Sequence, residues 1–552
     1  MDSSARKFVP TFIWTILVMS PLRVWAGPPP DPTASDGNLN TAGGTAVLSN
    51  NTAKFNTGFG AGVLTANTSG TANTAMGVDA LHANTTGLYN TADGENALGD
   101  NTTGSYNTAV GYFALLSNSN GYSNVATGMN ALQFNTTGAQ NVAAGYDSLR
   151  ENTTGYQNTA TGGYSLYSNT TGGLNVATGY RALFANTTGT NNTALGATAL
   201  YLNTTGSGNT AVGTESLESA TTGNDNTASG LLALTANTTG SSNTATGAQA
   251  LQSNTTGEEN TAAGSAALSN NTTGNYNTAT GTDALFYTTT GSNNTATGME
   301  ALMDNTTGAR NTALGMSALV HNSTGNDNTG TGFDVLVANT TGNFNTANGM
   351  DALNHDTTGG NNLALGFAAG TSLISGNNNI YLLSDAASSS ESNTIRIGSE
   401  QIAAYIAGVS GVTVTGVPVL VSSTGQLGVQ TSSARYKQDI EPMAQRSESL
   451  MQLQPVTFHY RADPHGALQY GLIAEQVGEI YPDLVVKGDD GKIEAIRYQE
   501  LTPMLLNEVQ KQARALRRKD AEIAALATRL SAIEEHTRSG VSADVPTAPT
   551  GR

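Results

Sequence analysis

Cysteine is absent from the 552 residues, so neither disulfides nor a thiolate-bound metal can hold the chain together. Basic residues are scarce. The 23 Lys and Arg stand against 41 Asp and Glu, a formal charge of -18. That balance leaves no electrostatic footprint for nucleic acid or for an anionic membrane. Past the N-terminus no stretch approaches the about eighteen consecutive apolar residues that cross a bilayer as a helix, and no transmembrane anchor is expected. His82, His321, His355, His459, His465 and His536 fall in no metal-ligand spacing, so no metal and no other cofactor is expected. Asp489-Asp490-Gly491-Lys492 looks like a fragment of a calcium loop but lacks the ligands that would follow, and reads as a hairpin turn.

The N-terminus carries an export signal. Arg6 and Lys7 precede an apolar run from Phe8 to Leu22, and Val24-Trp25-Ala26 places small residues where a signal peptidase reads. Residues 1–26 are therefore expected to be a signal peptide, which implies a secreted or cell-surface protein. The Pro-rich residues 27–49 read as a flexible linker.

Residues 50–371 then repeat one phrase, N-T-T-G-x-x-N-T-A-x-G-x-x-A-L-x-x, every 17 residues. One glycine series runs 70, 87, 104, 121 to 359 and a second runs 60, 77, 94, 111 to 366, with no insertion in either. A unit of 17 residues with two glycines is too short for a helical-hairpin repeat. The phrase predicts a mainly β fold, a parallel β-solenoid in which each coil stacks like on like. Ala109, Ala114 and Leu115 are its inward candidates, and Asn at the unit start bonds its own turn and its neighbours. Each N-T-T is formally a glycosylation acceptor, but its Asn and Gly content reads as turn chemistry. So slim a coil leaves positions such as Phe113, Leu115 and Leu116 without a core of their own. A homotrimeric rod is expected to cover them, a broad monomeric solenoid being the other solution. The NTAxG phrase is similar to the head repeats of trimeric autotransporter adhesins, although the unit here is longer and the membrane anchor of that family is lacking.

The period ends after Gly366. Residues 372–431 turn rich in Ile and Val and read as short strands of a fibre tip, with Ile395, Ile397 and Ile406 expected in its core. Next comes TSSARYKQDIEPM (431–443), followed by YGLIAEQV (470–477), YPDLV (481–485) and IRYQEL (496–501). In this order the motifs resemble the intramolecular chaperone domain of phage tail spikes and related surface proteins, the peptidase S74 family. The resemblance implies a small α+β domain over 432–500 that helps three chains assemble and then cuts itself off. It places the nucleophile on Ser432, the cleaved bond between Thr431 and Ser432, and the general base on Lys437. Arg435 and Ile440 match supporting motif positions, while Ser433 stands where the family has Asp.

The chemistry has its own logic. A serine hydroxyl needs an adjacent base, a desolvated lysine can serve, and a scissile carbonyl in the same chain makes attack effectively unimolecular. By residue type alone, a Ser and a Lys five positions apart are equally an ordinary solvated pair. Residues 501–539 continue as a helix whose Leu505, Val509, Gln512, Leu516, Lys519, Ile523, Leu526, Leu530 and Ile533 alternate in steps of four and three. That is a heptad seam, and it predicts self-association as a coiled coil. Residues 540–552 read as a disordered tail. The combined expectation is a secreted or surface homotrimeric fibre, adhesin- or spike-like, with a single-turnover autoproteolytic chaperone. A non-enzymatic structural or ice- or surface-binding solenoid is the alternative. A host-surface or glycan ligand fits either, and nothing in the repeat identifies it.

Overall fold

The computed structural model describes residues 36–406, 418–422, 425–429, 431–488 and 490–540. The signal peptide, most of the linker's Pro-rich start and the tail from 541 lie outside the described residues. The chain divides into two compact units, 1–405 and 406–552.

The first unit is a parallel β-solenoid. It contributes 22 short strands to one sheet, from β1 (Thr41–Gly43) through β5 (Thr108–Val110) to β20 (Leu363–Leu365), β21 (Ile380–Leu382) and β22 (Ile395–Ile397). From Thr57 to Ile380 each residue pairs with the one 17 positions on; the first step, Thr41 to Thr57, takes 16 residues and the last, Ile380 to Ile395, takes 15. At about 4.8 Å per coil the sheet is roughly 100 Å long.

One coil explains the rest. In β5 the Ala109 side chain points inward and is fully buried, and so are Ala114 and Leu115. Backbone bonds leave the coil in both directions: Thr108 N–H donates to Asn124 O at 2.8 Å and Gly111 N–H to Asp93 O at 2.8 Å. Two asparagine ladders complete the interior. Asn101 Nδ2 donates to Asn84 Oδ1 at 2.7 Å and to Gly104 O at 3.0 Å, closing its own turn. Asn107 donates its backbone N–H to Asn90 Oδ1 and its Nδ2 to Gly121 O. A buried amide left unpaired costs about 1–3 kcal/mol, so each ladder member is held to Asn. Because these amides are fully buried, the acceptor nitrogen of N-T-T is closed to a glycan in the folded coil.

The two glycine series do different work. Gly111 has φ +134°, and a Cβ there would meet Gly128 O at 2.6 Å; Gly104 lies at ordinary φ, but its Cβ would meet Gly121 O at 2.3 Å and Asn101 Oδ1 at 2.4 Å. Left-handed backbone also falls on side-chain-bearing residues: Tyr106 (φ 60°), Phe113 (57°) and Leu115 (52°), repeated coil after coil. The αL conformation costs about 1–2 kcal/mol for such a residue. Burying the Leu115 side chain returns about 1.5–3 kcal/mol, and its N–H donates to Ala131 O at 2.9 Å. The left-handed turn is what brings the leucine inside.

That turn corrects one expectation. Leu115 needs no neighbouring chain, since it is fully buried in its own coil; only Phe113 and Leu116 remain half-buried. The solenoid also exceeds the 50–371 range. Coils form at both ends where the glycine pair has lapsed, because the strand ladder is retained there. Its last core position is filled by Tyr381, fully buried in place of the usual Ala, whose hydroxyl donates to Glu391 Oε2 at 3.1 Å. Glu391 in turn pairs with Arg396 at 2.6 Å. Ile395 and Ile397 are not core: they are 66% and 73% exposed, because in β22 it is Arg396 that points inward. Ile406 is exposed as well.

The second unit is small and α+β. Antiparallel pairs β23 (Leu420–Val421) with β24 (Leu427–Gly428), β25 (Val456–Phe458) with β26 (Gln469–Gly471), and β27 (Val485–Lys487) with β28 (Ile493–Ile496) accompany the short helix α1 (Ala474–Ile480) and the 43-residue helix α2 (Tyr498–Gly540). Around Asp490 the chain makes a hairpin turn between β27 and β28, with Gly491 at φ 77° and Lys492 N–H donating to Asp490 Oδ1; Asp489 lies outside the described residues.

Candidate functional site

The second unit has one small core. Leu450, Val477, Leu484, Val485, Leu501 and Met504 are buried together, so α1, β27 and the first turns of α2 are held as one body. A buried serine pins the start of α2. Ser447, fully buried, donates its hydroxyl to Glu508 and accepts from Asn507 Nδ2 at 2.6 Å, and Asn507 also reaches Ala444 O at 3.0 Å. The Ser447 hydroxyl and then the Lys511 ammonium hold the Glu508 carboxyl below its ordinary range. Sequence reasoning missed this trio. The signal it left is two polar residues, Asn507 and Glu508, between the apolar Leu505 and Val509.

The proposed nucleophile and base stand at the entrance to this unit. A single 3-10 turn, Ala434–Tyr436, separates them: Tyr436 N–H donates to Ser433 O at 3.0 Å and Lys437 N–H to Ala434 O at 3.1 Å. The turn folds five residues back on themselves and sets Lys437 Nζ 3.4 Å from Ser432 Oγ, at the long edge of a hydrogen bond. Arg435 lies over the Tyr436 ring, 4.7 Å from its centre. Thr431, Ser432, Arg435, Lys437 and Ile440 are all exposed. The structure thus brings Ser432 and Lys437 together and leaves Ile440 apart from any core.

Beyond Met504 the seam of α2 has no cover. Leu505, Val509, Leu516, Ile523, Leu526, Leu530 and Ile533 are each more than half exposed. A helix of this length in water would not keep seven aliphatic residues on one stripe bare; such a stripe is a contact surface.

On the solenoid, a shallow groove of about 580 Å³ is lined by Ser253, Asn270, Tyr287, Thr289, Asp304 and Thr306. Its Asp304 is tied to His321 Nδ1 at 2.7 Å. Among the described residues no group of His, Asp and Glu is placed to hold a metal ion, and no helix is long and apolar enough to cross a membrane.

A small α+β body that opens on a Ser–Lys pair and closes on a bare heptad helix defines a class: a C-terminal assembly module carried behind a β-solenoid. Residues 432–486 match the family model of peptidase S74, the chaperone of endosialidase. The match begins at Ser432 and ends within β27, before IRYQEL and the seam of α2. No curated protein matches the chain.

Proposed function

We propose that the protein is a homotrimeric fibre, secreted or displayed at the cell surface in the manner of an adhesin or spike, whose C-terminal region gathers three copies and then severs itself before Ser432. The observation that carries the reading is the bare seam from Leu505 to Ile533, following directly on a segment that matches a chaperone family. Parallel pairing over many near-identical coils is slow and prone to slipped register. A coiled coil at one end brings the copies together in parallel before the solenoids meet.

For the cleavage, Lys437 Nζ takes the proton of Ser432 Oγ as the oxygen attacks the Thr431 carbonyl carbon. The C–N bond to Ser432 breaks as the new C–O bond forms, and the proton passes to the freed Ser432 amine. Water then hydrolyses the ester, leaving a carboxylate on Thr431 and restoring the Ser432 hydroxyl. A lysine base works only where it is stripped of water. Both side chains are exposed in the single chain, so the dry surroundings are supplied by assembly, and cleavage follows trimer formation.

Native mass measurement of the full chain, with the fragments identified by mass and N-terminal residue, tests both parts. A trimer that yields a C-terminal fragment starting at Ser432 is expected, with Ser432→Ala and Lys437→Ala remaining intact trimers. A monomeric mass refutes the assembly, and an intact wild-type trimer after prolonged incubation refutes the cleavage.

One observation favours a second reading, a surface-adsorbing or ice-binding rod. Thr occupies the first outward position of every strand from β1 to the one before β20, except where Val125, Val142 and Val176 stand. Thermal hysteresis in the purified protein would support it, and normal freezing would remove it.

A further inference from the structure

The outward side of the solenoid sheet changes character in its last three coils. Over most of the rod a strand presents Thr at one outward position and a variable residue at the other, as Thr346 and Asn348 do just before β20. No strand before β20 carries large aliphatic side chains at both positions. Then three in succession do: Leu363 with Leu365, Ile380 with Leu382, and Ile395 with Ile397. Leu363 and Leu365 are 38% and 48% exposed, and Phe367 and Leu383 add 64% and 56% beside them. None of these outward positions bears a charge, and the one basic residue in the three strands, Arg396, points inward to Glu391.

We infer that this aliphatic face is where copies of the chain meet, side by side and parallel, as a collar at the end of the solenoid. The inference rests on the homotrimer reading and names the surface that such an assembly uses. The exposed area of the patch is on the order of 700 Å² per copy, close to the about 800 Å² that each partner contributes to a specific interface. With no charge to select a foreign partner, the surface that matches it best is its own duplicate. The bare seam of α2 on the same chain supplies that duplicate at high effective concentration. The collar also solves a problem the repeat creates. The Thr-rich coils are nearly alike, so sliding one copy by a coil changes little along most of the rod. At the collar the same slip sets Thr346 and Asn348 against an aliphatic strand and leaves another strand bare. Register is thereby fixed by three coils out of the whole stack.

Because the chain has no cysteine, single-cysteine variants of the full-length protein read this contact cleanly. Ile397→Cys and Leu365→Cys probe the collar, Thr227→Cys the same face midway along the rod, and Leu516→Cys the helix seam. Treated with a short bis-maleimide at high dilution, the two collar variants and Leu516→Cys are expected to give cross-linked chains at least about tenfold faster than Thr227→Cys. Restoring the repeat chemistry with Leu363→Thr, Leu365→Thr and Ile395→Thr in the Ile397→Cys background should abolish that advantage while Leu516→Cys still cross-links. Cross-linking at 516 without any at 397 or 365 overturns the collar and leaves the trimer standing. Equal rates at 227 and 397 overturn its confinement to the last coils. No cross-linking at 516 together with a monomeric native mass ends the trimer reading and the collar with it.

Discussion

Asp356 offers a sharp test of how the asparagine ladder works. It stands where a ladder Asn is due and is fully buried, accepting from Gly359 N–H at 2.8 Å and Asn362 Nδ2 at 3.3 Å. One coil earlier, Asn339 donates to Asn322 Oδ1, but its own Oδ1 has no partner. The same orphan occurs at Asn203 and Asn271, and in each case the residue 17 positions on is not Asn: Ala220, Thr288 and Asp356. Burial pushes the Asp356 carboxyl up from 3.8 to about 6. A group whose acid form is favoured by folding contributes most stability below its unfolded value, loses it as pH rises from 3.8 to about 6, and contributes nothing further above. A rise of that size corresponds to about 3 kcal/mol lost by pH 7. Asp356→Asn removes the charge and returns a donor to Asn339 Oδ1, itself worth about 1–3 kcal/mol. Coils of a solenoid open locally, so amide exchange around 339–376 is the assay. After correction for intrinsic rates, wild-type protection there should fall about a hundredfold between pH 4 and pH 7, while Asp356→Asn stays flat and is the better protected at pH 7. Glu391 works in the opposite sense, since the Arg396 guanidinium holds its carboxyl below the ordinary range, and its contribution is lost as pH falls. Comparing the two proteins at each pH cancels that trend. A variant with the wild-type slope, or weaker protection at pH 7, refutes the reasoning.

Gly230→Ala puts a Cβ 2.4 Å from Gly247 O at φ +144°; a loss above about 2 kcal/mol is expected by thermal melting, against less than about 0.5 for Leu231→Ala, an exposed neighbour. Leu516→Asp with Ile523→Asp should convert the full-length trimer to monomer in native mass measurement, since each seam aliphatic that loses its cover forfeits about 1.5–3 kcal/mol; a trimer that survives both places the contact elsewhere.

The period and the inward residues were legible because stacking makes sequence repetition and structural repetition the same thing. Ala109, Ala114 and Leu115 fall where the template puts them. The left-handed backbone at Phe113 and Leu115 was not legible, since no propensity assigns αL to a bulky side chain; the coil imposes it. For the same reason the burial of Leu115 was credited to a partner chain. Alternation in IRI told only that β22 has two unlike faces, and the choice of which is inward went to Arg396 because Glu391 is there to pair with it. The coils at Thr41 and Ile395 were hidden by the loss of the glycines that mark the others. At the other end, the order of motifs from Ser432 to Leu501 was readable, while the approach of Lys437 Nζ to Ser432 Oγ depends on a 3-10 turn that the residue types do not specify.

Nearly all the bonding of a coil goes to the coil above and the coil below, and this gives the rod an uncommon response to tension. Pulled from one end, it gives way one coil at a time, as thread leaves a spool. Each coil adds about 4.8 Å to the intact rod, but its 17 residues reach about 55 Å when drawn out. A tether built this way lengthens roughly elevenfold for every coil it gives up and keeps the remainder folded. The breaks at Ala220, Thr288 and Asp356, where an asparagine rung is missing, mark the places at which such peeling advances most readily.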